Sequence, residues 1–328
     1  MESLTAFVVS LLMGFTPMII NAFIIYCLDR YEKEPLKLLG AVFIWGAVVA
    51  AAGAFLVNTL FGVGVEWLTH SEKLADISTG IMSAPLLEET LKGLAVLFVF
   101  WAFHNEFDSV LDGIVYAAVT ALGFAATENT FYIFSEGFLH GGWSQLWTMS
   151  VLRSFVVGWQ HPFFTSFFGI GLAYARLTSN PIRKWTMPIL GWFAAILTHS
   201  FHNIIAMFGS GVVCLLGSVI DWSGWLAMLV FIIILGRREK NLLRHYLLEE
   251  VDLGNITTVQ YETALSTWRR IRALLRENIH HHICFYQLCA EISHKKYQFE
   301  NFGDETGNSI IIGNLRDTLK AYSVILTG

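Results

Sequence analysis

The sequence predicts an all-α fold: a polytopic transmembrane helix bundle of about seven spans, eight if the seventh divides, with a C-terminal helical cytosolic region. Three observations predict it. Of 328 residues, 55% are hydrophobic and only 14% are charged, where an ordinary globular protein carries about a quarter. The scarcity is local, since residues 1–236 hold 9 Lys+Arg and 15 Asp+Glu while residues 237–328 hold 12 and 11. The first 236 residues also divide into apolar stretches of the roughly 20 residues that a bilayer core requires. A water-soluble single domain is excluded. A formal net charge of −5 leaves no basic surplus for nucleic acid. Cys27, Cys214, Cys284 and Cys289 are spaced too widely for a disulfide framework or a paired-cysteine metal site.

The predicted spans lie at about 4–28, 38–62, 78–103, 109–134, 148–175, 186–208 and 211–235. The first is too long, and too uncharged at its start, for a cleavable signal peptide. Asp221, Trp222, Ser223 and Gly224 interrupt the seventh and could mark a turn between two shorter helices. Arg30, Lys33 and Lys37, then Arg176, Arg183 and Lys184, then Arg237, Arg238, Lys240 and Arg244 all fall on one side of such a bundle, against Lys73 alone on the other. The positive-inside rule therefore puts the N-terminus outside and the tail in the cytosol. The expected division is a transmembrane domain at 1–236 and a helical cytosolic domain at 237–328, with apolar residues at helical spacing over 241–251 and 259–289. In that tail, His280, His281 and His282 point about 100° apart on a helix and cannot converge on one ion, so they read as a solvated surface. The final Leu326, Thr327 and Gly328 carry no lipidation or retention signal.

An ionisable group near the bilayer centre costs roughly 2.5–3.5 kcal/mol on insertion scales, so each one inside a span is a candidate functional residue. The third span carries Glu88, Glu89 and Lys92, the fourth Asp112 and Glu128, the fifth Arg153 and His161, and the sixth His199 and His202 beside Asn203. At about 1.5 Å rise per residue, Glu88 and Glu89 lie roughly 15–17 Å below the outer surface, Glu128 roughly 9 Å, His161 roughly 20 Å and His199 roughly 14 Å. Four helices thus present acids and imidazoles to one level of the membrane, where they could share a polar cavity. Asp112 and Arg153 fall near span ends, where capping a loop or snorkelling is the simpler role. Lys92 is three and four residues beyond the glutamates and can pair with either, leaving the other to face the cavity. The bland alternative is an intramembrane ion pair that only joins helices. Gly113, Ala117, Ala118, Ala121, Gly123, Ala125 and Ala126 make the fourth span thin and permit close helix approach.

Together these residues resemble the PrsW-type intramembrane proteases, part of a wider group that includes the CAAX prenyl endopeptidases and bacteriocin-processing enzymes. The resemblance runs through Asp29, Arg30, Tyr31, Glu32, Lys33, Glu34 and Pro35; Glu88, Glu89 and Lys92; Phe107, Asp108, Asp112, Gly113 and Tyr116; Phe124, Glu128 and Asn129; His161; and Thr198, His199, His202 and Asn203. It implies a glutamic-type protease in which Glu88 is the base assisted by Glu128, Glu89 is held by Lys92, and His161 positions water or shuttles the proton. His199 and Asn203 would supply oxyanion donors, with Asn129 in support. His202 is outside the family pattern. The resemblance implies no cofactor, and a membrane-anchored protein substrate such as an anti-sigma-factor-like regulator; it does not extend into the tail.

A zinc-dependent intramembrane protease is the nearest rival, with His161, His199, His202 and a glutamate as ligands, although the chain has no His-Glu-x-x-His sequence. A proton-coupled transporter would use the same Glu/His set as a relay, but the two halves lack the duplication common in transporters.

Overall fold

The computed structural model describes residues 1–209, 212–275, 278–304 and 307–327. The start of the seventh predicted span at residue 211, the Cys214 side chain and Gly328 lie outside the described residues. Contacts divide the chain into two units, Met1–Leu28 with Glu34–Val230, and Asp29–Lys33 with Phe231–Gly328.

In the first unit, α1 (Glu2–Leu28) runs through Pro17. The helix α2 (Leu36–Ile44) continues through a π-helical turn, Trp45–Ala50, into α3 (Ala51–Thr69), which ends at His70 in the left-handed region. Ser71 caps α4 (Glu72–Ser78), accepting from the Leu74 amide, and a second π turn leads into α5 (Ala84–Ala102). Asp112 does cap a loop: Ser109 and Asp112 form a reciprocal capping box at the start of α6 (Val110–Tyr132). After a π turn at Ile133–Leu139 come α7 (His140–Val151) and another π turn, Leu152–Val156. Then follow α8 (Gln160–Arg176), α9 (Pro181–Phe208), capped by Asn180, and α10 (Val212–Asp252).

Five helical stretches are long and apolar enough to cross a membrane: Glu2–Leu28, Leu36–Thr69, Val110–Arg176, Pro181–Phe208 and Leu216–Asp252. The protein is an all-α, polytopic integral membrane protein. The stretch with α5 falls outside these five because Glu88, Glu89 and Lys92 charge its middle. Two expectations need correction. The fifth predicted span is not one rod: helix geometry lapses at residues 157–159, between the π turn and α8. Conversely, α10 passes through Asp221, Trp222, Ser223 and Gly224 as one helix, with no turn at these residues.

The helix α6 is the axis of the first unit and is buried along nearly its whole length. Its small residues permit this. A methyl group on Gly113 would collide with the Gly169 carbonyl of α8, one on Gly169 with the Gly113 carbonyl, and one on Gly123 with the Phe43 carbonyl of α2. Outward-facing positions remain large and apolar, as at Phe23, Phe55, Trp101 and Leu197, which is the surface a hydrocarbon solvent demands.

The second unit contains the end of α10, α11 (Thr258–Ala264), α12 (Thr267–Leu274), α13 (Ile279–Phe302) and α14 (Asn308–Thr327). Leu243, Leu247, Phe285, Cys289, Ile292 and Leu319 form its core. Burial pushes the Cys289 thiol up to about 12, so it is inert at neutral pH. Tyr31 of the Asp29–Lys33 segment is buried in the same core. The Arg270 guanidinium donates to the carbonyls of Arg30 (2.9 Å) and Tyr31 (3.5 Å). Of the three consecutive histidines, only His280 is exposed; His281 lies against Tyr322 and His282 stacks on Tyr286, so they are not simply a solvated face.

Candidate active site

Helical spacing on α5 puts Lys92 within reach of both preceding acids, its Nζ 2.5 Å from Glu89 Oε1 and 3.7 Å from Glu88 Oε2. The ammonium also stands 3.2 Å from His161 Nδ1 and over the Phe124 ring, 4.4 Å from its centroid. Glu89 is saturated further: Thr165 donates to Oε2 at 2.8 Å, and His199 Nδ1 lies 2.9 Å from Oε1. From α6, Glu128 Oε2 meets His161 Nε2 at 2.8 Å and Arg153 Nη2 at 2.5 Å. Arg153 Nε donates to Asn129 Oδ1 at 3.2 Å. The His161 and His199 rings stand edge to face 5.2 Å apart, and Phe164 stacks on His199 at 4.9 Å.

These partners assign the imidazole tautomers. A hydrogen bond to Glu89 requires a proton on His199 Nδ1, which leaves the Nε2 lone pair 3.9 Å from Glu88 Oε2. Likewise His161 carries its proton on Nε2 toward Glu128, and its Nδ1 accepts from Lys92. With both rings neutral, Glu88, Glu89 and Glu128 face only Lys92 and Arg153, so one negative charge is left over. Glu88 Oε2 is buried and accepts no hydrogen bond. The cluster is closed at Lys92 and Glu89, whose side chains are 0% and 1% exposed, and more open at Glu128 and Arg153, both 20% exposed.

The geometry thus gathers Glu88, Glu89, Lys92, Glu128, Asn129, His161 and His199. Asn203 stands apart from these contacts, donating from Nδ2 to the Gly80 carbonyl at 2.8 Å. His202 pairs with Asp221 of α10, Nδ1 to Oδ2 2.6 Å. A three-histidine metal site is therefore corrected: among the described residues of this region, the donors that converge are Glu88, His161 and His199, their ligand atoms within 4.8 Å of one another.

A family model described as "PrsW family intramembrane metalloprotease" matches residues 34–235. The chain belongs to the PrsW family. Among curated relatives named "Protease PrsW", the one from Geobacillus kaustophilus is 36% identical over 112 residues, 34% of this chain and 46% of that protein. The one from Clostridioides difficile is 38% identical over 125 residues, 38% of this chain and 50% of that protein. The Bacillus subtilis relative is 27% identical over 195 residues, 58% of this chain and 80% of that protein. The chain thus spans about half the length of the first two. No solved structure matches it.

Two members of the site in this PrsW-family chain escaped the sequence. Arg153 is no snorkelling residue; it binds Glu128 and Asn129 and lies over the Tyr132 ring at 4.2 Å. Its signal was present, a cation in an apolar stretch, but its partners on α6 could not be read from spacing. Thr165 gave no signal, because a threonine in an apolar helix is unremarked until its partner is known.

Proposed function

We propose that this chain is an intramembrane endopeptidase that hydrolyses a membrane-anchored protein with a water molecule activated by Glu88. The observation that carries this reading is Glu88 Oε2, buried and without a hydrogen bond among the described residues, in a cluster whose other acids and imidazoles are hydrogen-bonded to partners. A water held between Glu88 Oε2 and His199 Nε2 gives one proton to the carboxylate as its oxygen attacks the scissile carbonyl carbon. Glu88 then delivers that proton to the departing amine. The Glu89 contact keeps His199 in the tautomer that accepts from water, so His199 orients the nucleophile and does not donate to the oxyanion. Positive charge for the oxyanion comes from Lys92 and from Arg153, whose Nη1 has no hydrogen bond among the described residues. Glu128 holds Arg153 and His161 in place.

A second reading follows from the converging donors. Glu88, His161 and His199 have the two-histidine, one-carboxylate composition of catalytic zinc sites, and the opposite nitrogen of each ring is oriented by a carboxylate; the Lys92 ammonium, 3.2 Å from His161 Nδ1, would have to give up that contact to an ion. When bound, such an ion polarises the carbonyl and makes its water acidic. Metal analysis of the purified chain with cleavage assayed in chelator separates the two. Full activity in metal-free protein supports the glutamate reading, and loss restored by zinc supports the metal.

The proposed topology is seven spans in a bacterial plasma membrane with the N-terminus outside, supported by the ten-to-one distribution of Lys and Arg among the connections. The proposed substrate is a single-span regulatory protein. Comparing the membrane proteomes of cells carrying wild-type and Glu88→Ala protein tests this; one uncut membrane protein should accumulate with the variant, and identical proteomes would refute the proposal.

A further inference from the structure

Gln160 is the first residue of α8, directly after the break, and is only 4% exposed. Its Oε1 is sealed from solvent and accepts no hydrogen bond, and among the described residues its Nε2 donates none. A buried carboxamide in that condition is costly, and hydrocarbon supplies no water to relieve it. Its position links it to the site. Gln160 adjoins His161 in sequence, and four residues on, over the same face of the helix, Phe164 stacks on His199 and meets the His161 ring at 6.2 Å. The unpaired amide therefore lies one helical turn from the Phe164 ring that contacts both imidazoles, while His161 itself points about 100° around the helix from it.

The substrate presents the matching need. Within a bilayer every backbone N–H and C=O is satisfied inside a helix, so a peptide bond becomes open to attack only where that helix unwinds, and unwinding leaves its own amides without partners. A primary carboxamide offers one acceptor and a two-hydrogen donor, the complement of a peptide group. We propose that Gln160 binds the unwound backbone of the substrate beside the scissile bond, Oε1 accepting a substrate N–H and Nε2 donating to a substrate C=O. This rests on the protease reading and adds to it a recognition element for extended backbone, independent of substrate side chains.

The test uses the full chain in lipid vesicles and a panel of quenched-fluorescent single-span peptides, choosing one that wild type cleaves and Glu88→Gln does not. Gln160→Ala should raise KM about tenfold with kcat changed much less. Replacing backbone amides flanking the scissile bond with esters, one at a time, should reveal one position that costs wild type a similar factor and costs Gln160→Ala almost nothing further. A purely structural glutamine would show no such coupling. Gln160→Met, of similar length and apolar, repeats the cycle if the alanine variant does not fold. Unchanged KM in the variants, or an ester penalty equal in wild type and variant at every position, overturns the role of Gln160 while the protease reading stands. Failure of wild type to cleave any peptide in the panel overturns that reading and this one with it.

Discussion

Lys92 shows how much one side chain organises here. It is fully buried and meets Glu88, Glu89, His161 and the Phe124 ring, so it neutralises one acid and sets the tautomer of one imidazole at once. Because Glu88 is the only acid of the three without a hydrogen bond at an inner oxygen, Glu88→Gln should lower kcat by about 10²–10⁴-fold with unaltered thermal unfolding. His199→Ala should lower it comparably; if both variants, correctly inserted, cleave a peptide at the wild-type rate, the scheme is wrong. Arg153→Lys keeps the charge but loses the planar fork that serves Glu128 and Asn129 together. Its expected loss is about 10²-fold in kcat, read in the same assay. At this scale the sequence was informative about charge: Glu88, Glu89, Glu128, His161 and His199 stand out because ionisable groups are expensive in apolar helices. Thr165 and Gln160 are neutral, common and cheap, and nothing in their spacing marks them.

Between helices, the site depends on how closely α6 is approached. The collision of Gly113 and Gly169 with each other's carbonyls if either bore a side chain predicts that Gly113→Val lowers stability by about 1–3 kcal/mol, seen as a reduced unfolding midpoint in detergent. Gly40→Ala, where an added methyl meets nothing within 4 Å, is the matched control and should be silent. The break at residues 157–159 matters for another reason. By ending one helix after Arg153 and beginning another at Gln160, it lets Arg153 and His161 both reach Glu128, which an unbroken helix carrying residues eight apart would not arrange on one short stretch of α6. Hydrophobicity alone does not reveal such a break, since the stretch stays apolar across it and only Gly158 within it and Pro162 just after it mark the place. At residues 221–224 the reverse happened: Asp221 and Gly224 left a turn open as an alternative, yet α10 stays helical, with His202 bound to the aspartate and the Phe163 ring close over Gly224.

Over the whole molecule, two units of different composition share one chain, and the segment Asp29–Lys33 belongs with the second. Arg270→Ala removes the donors to the Arg30 and Tyr31 carbonyls, so limited proteolysis should cut between residues 29 and 33 faster than in wild type; an unchanged cutting rate would show that the loop is held otherwise. Single cysteines placed at Lys73 and Arg183 test the topology. Membrane-impermeant reagent added to whole cells should label the first and spare the second. Composition by itself determined that this protein lives in a bilayer, because apolar length is set by membrane thickness and needs no partner. The order of ionisable motifs along the spans likewise determined its family. Which of those groups meet, which imidazole nitrogen holds the proton, and which glutamate oxygen is left without a hydrogen bond were decided only by tertiary structure. Those properties depend on helix rotation, breaks and ångström-scale approach, and a pattern of residue types along one chain does not encode them directly.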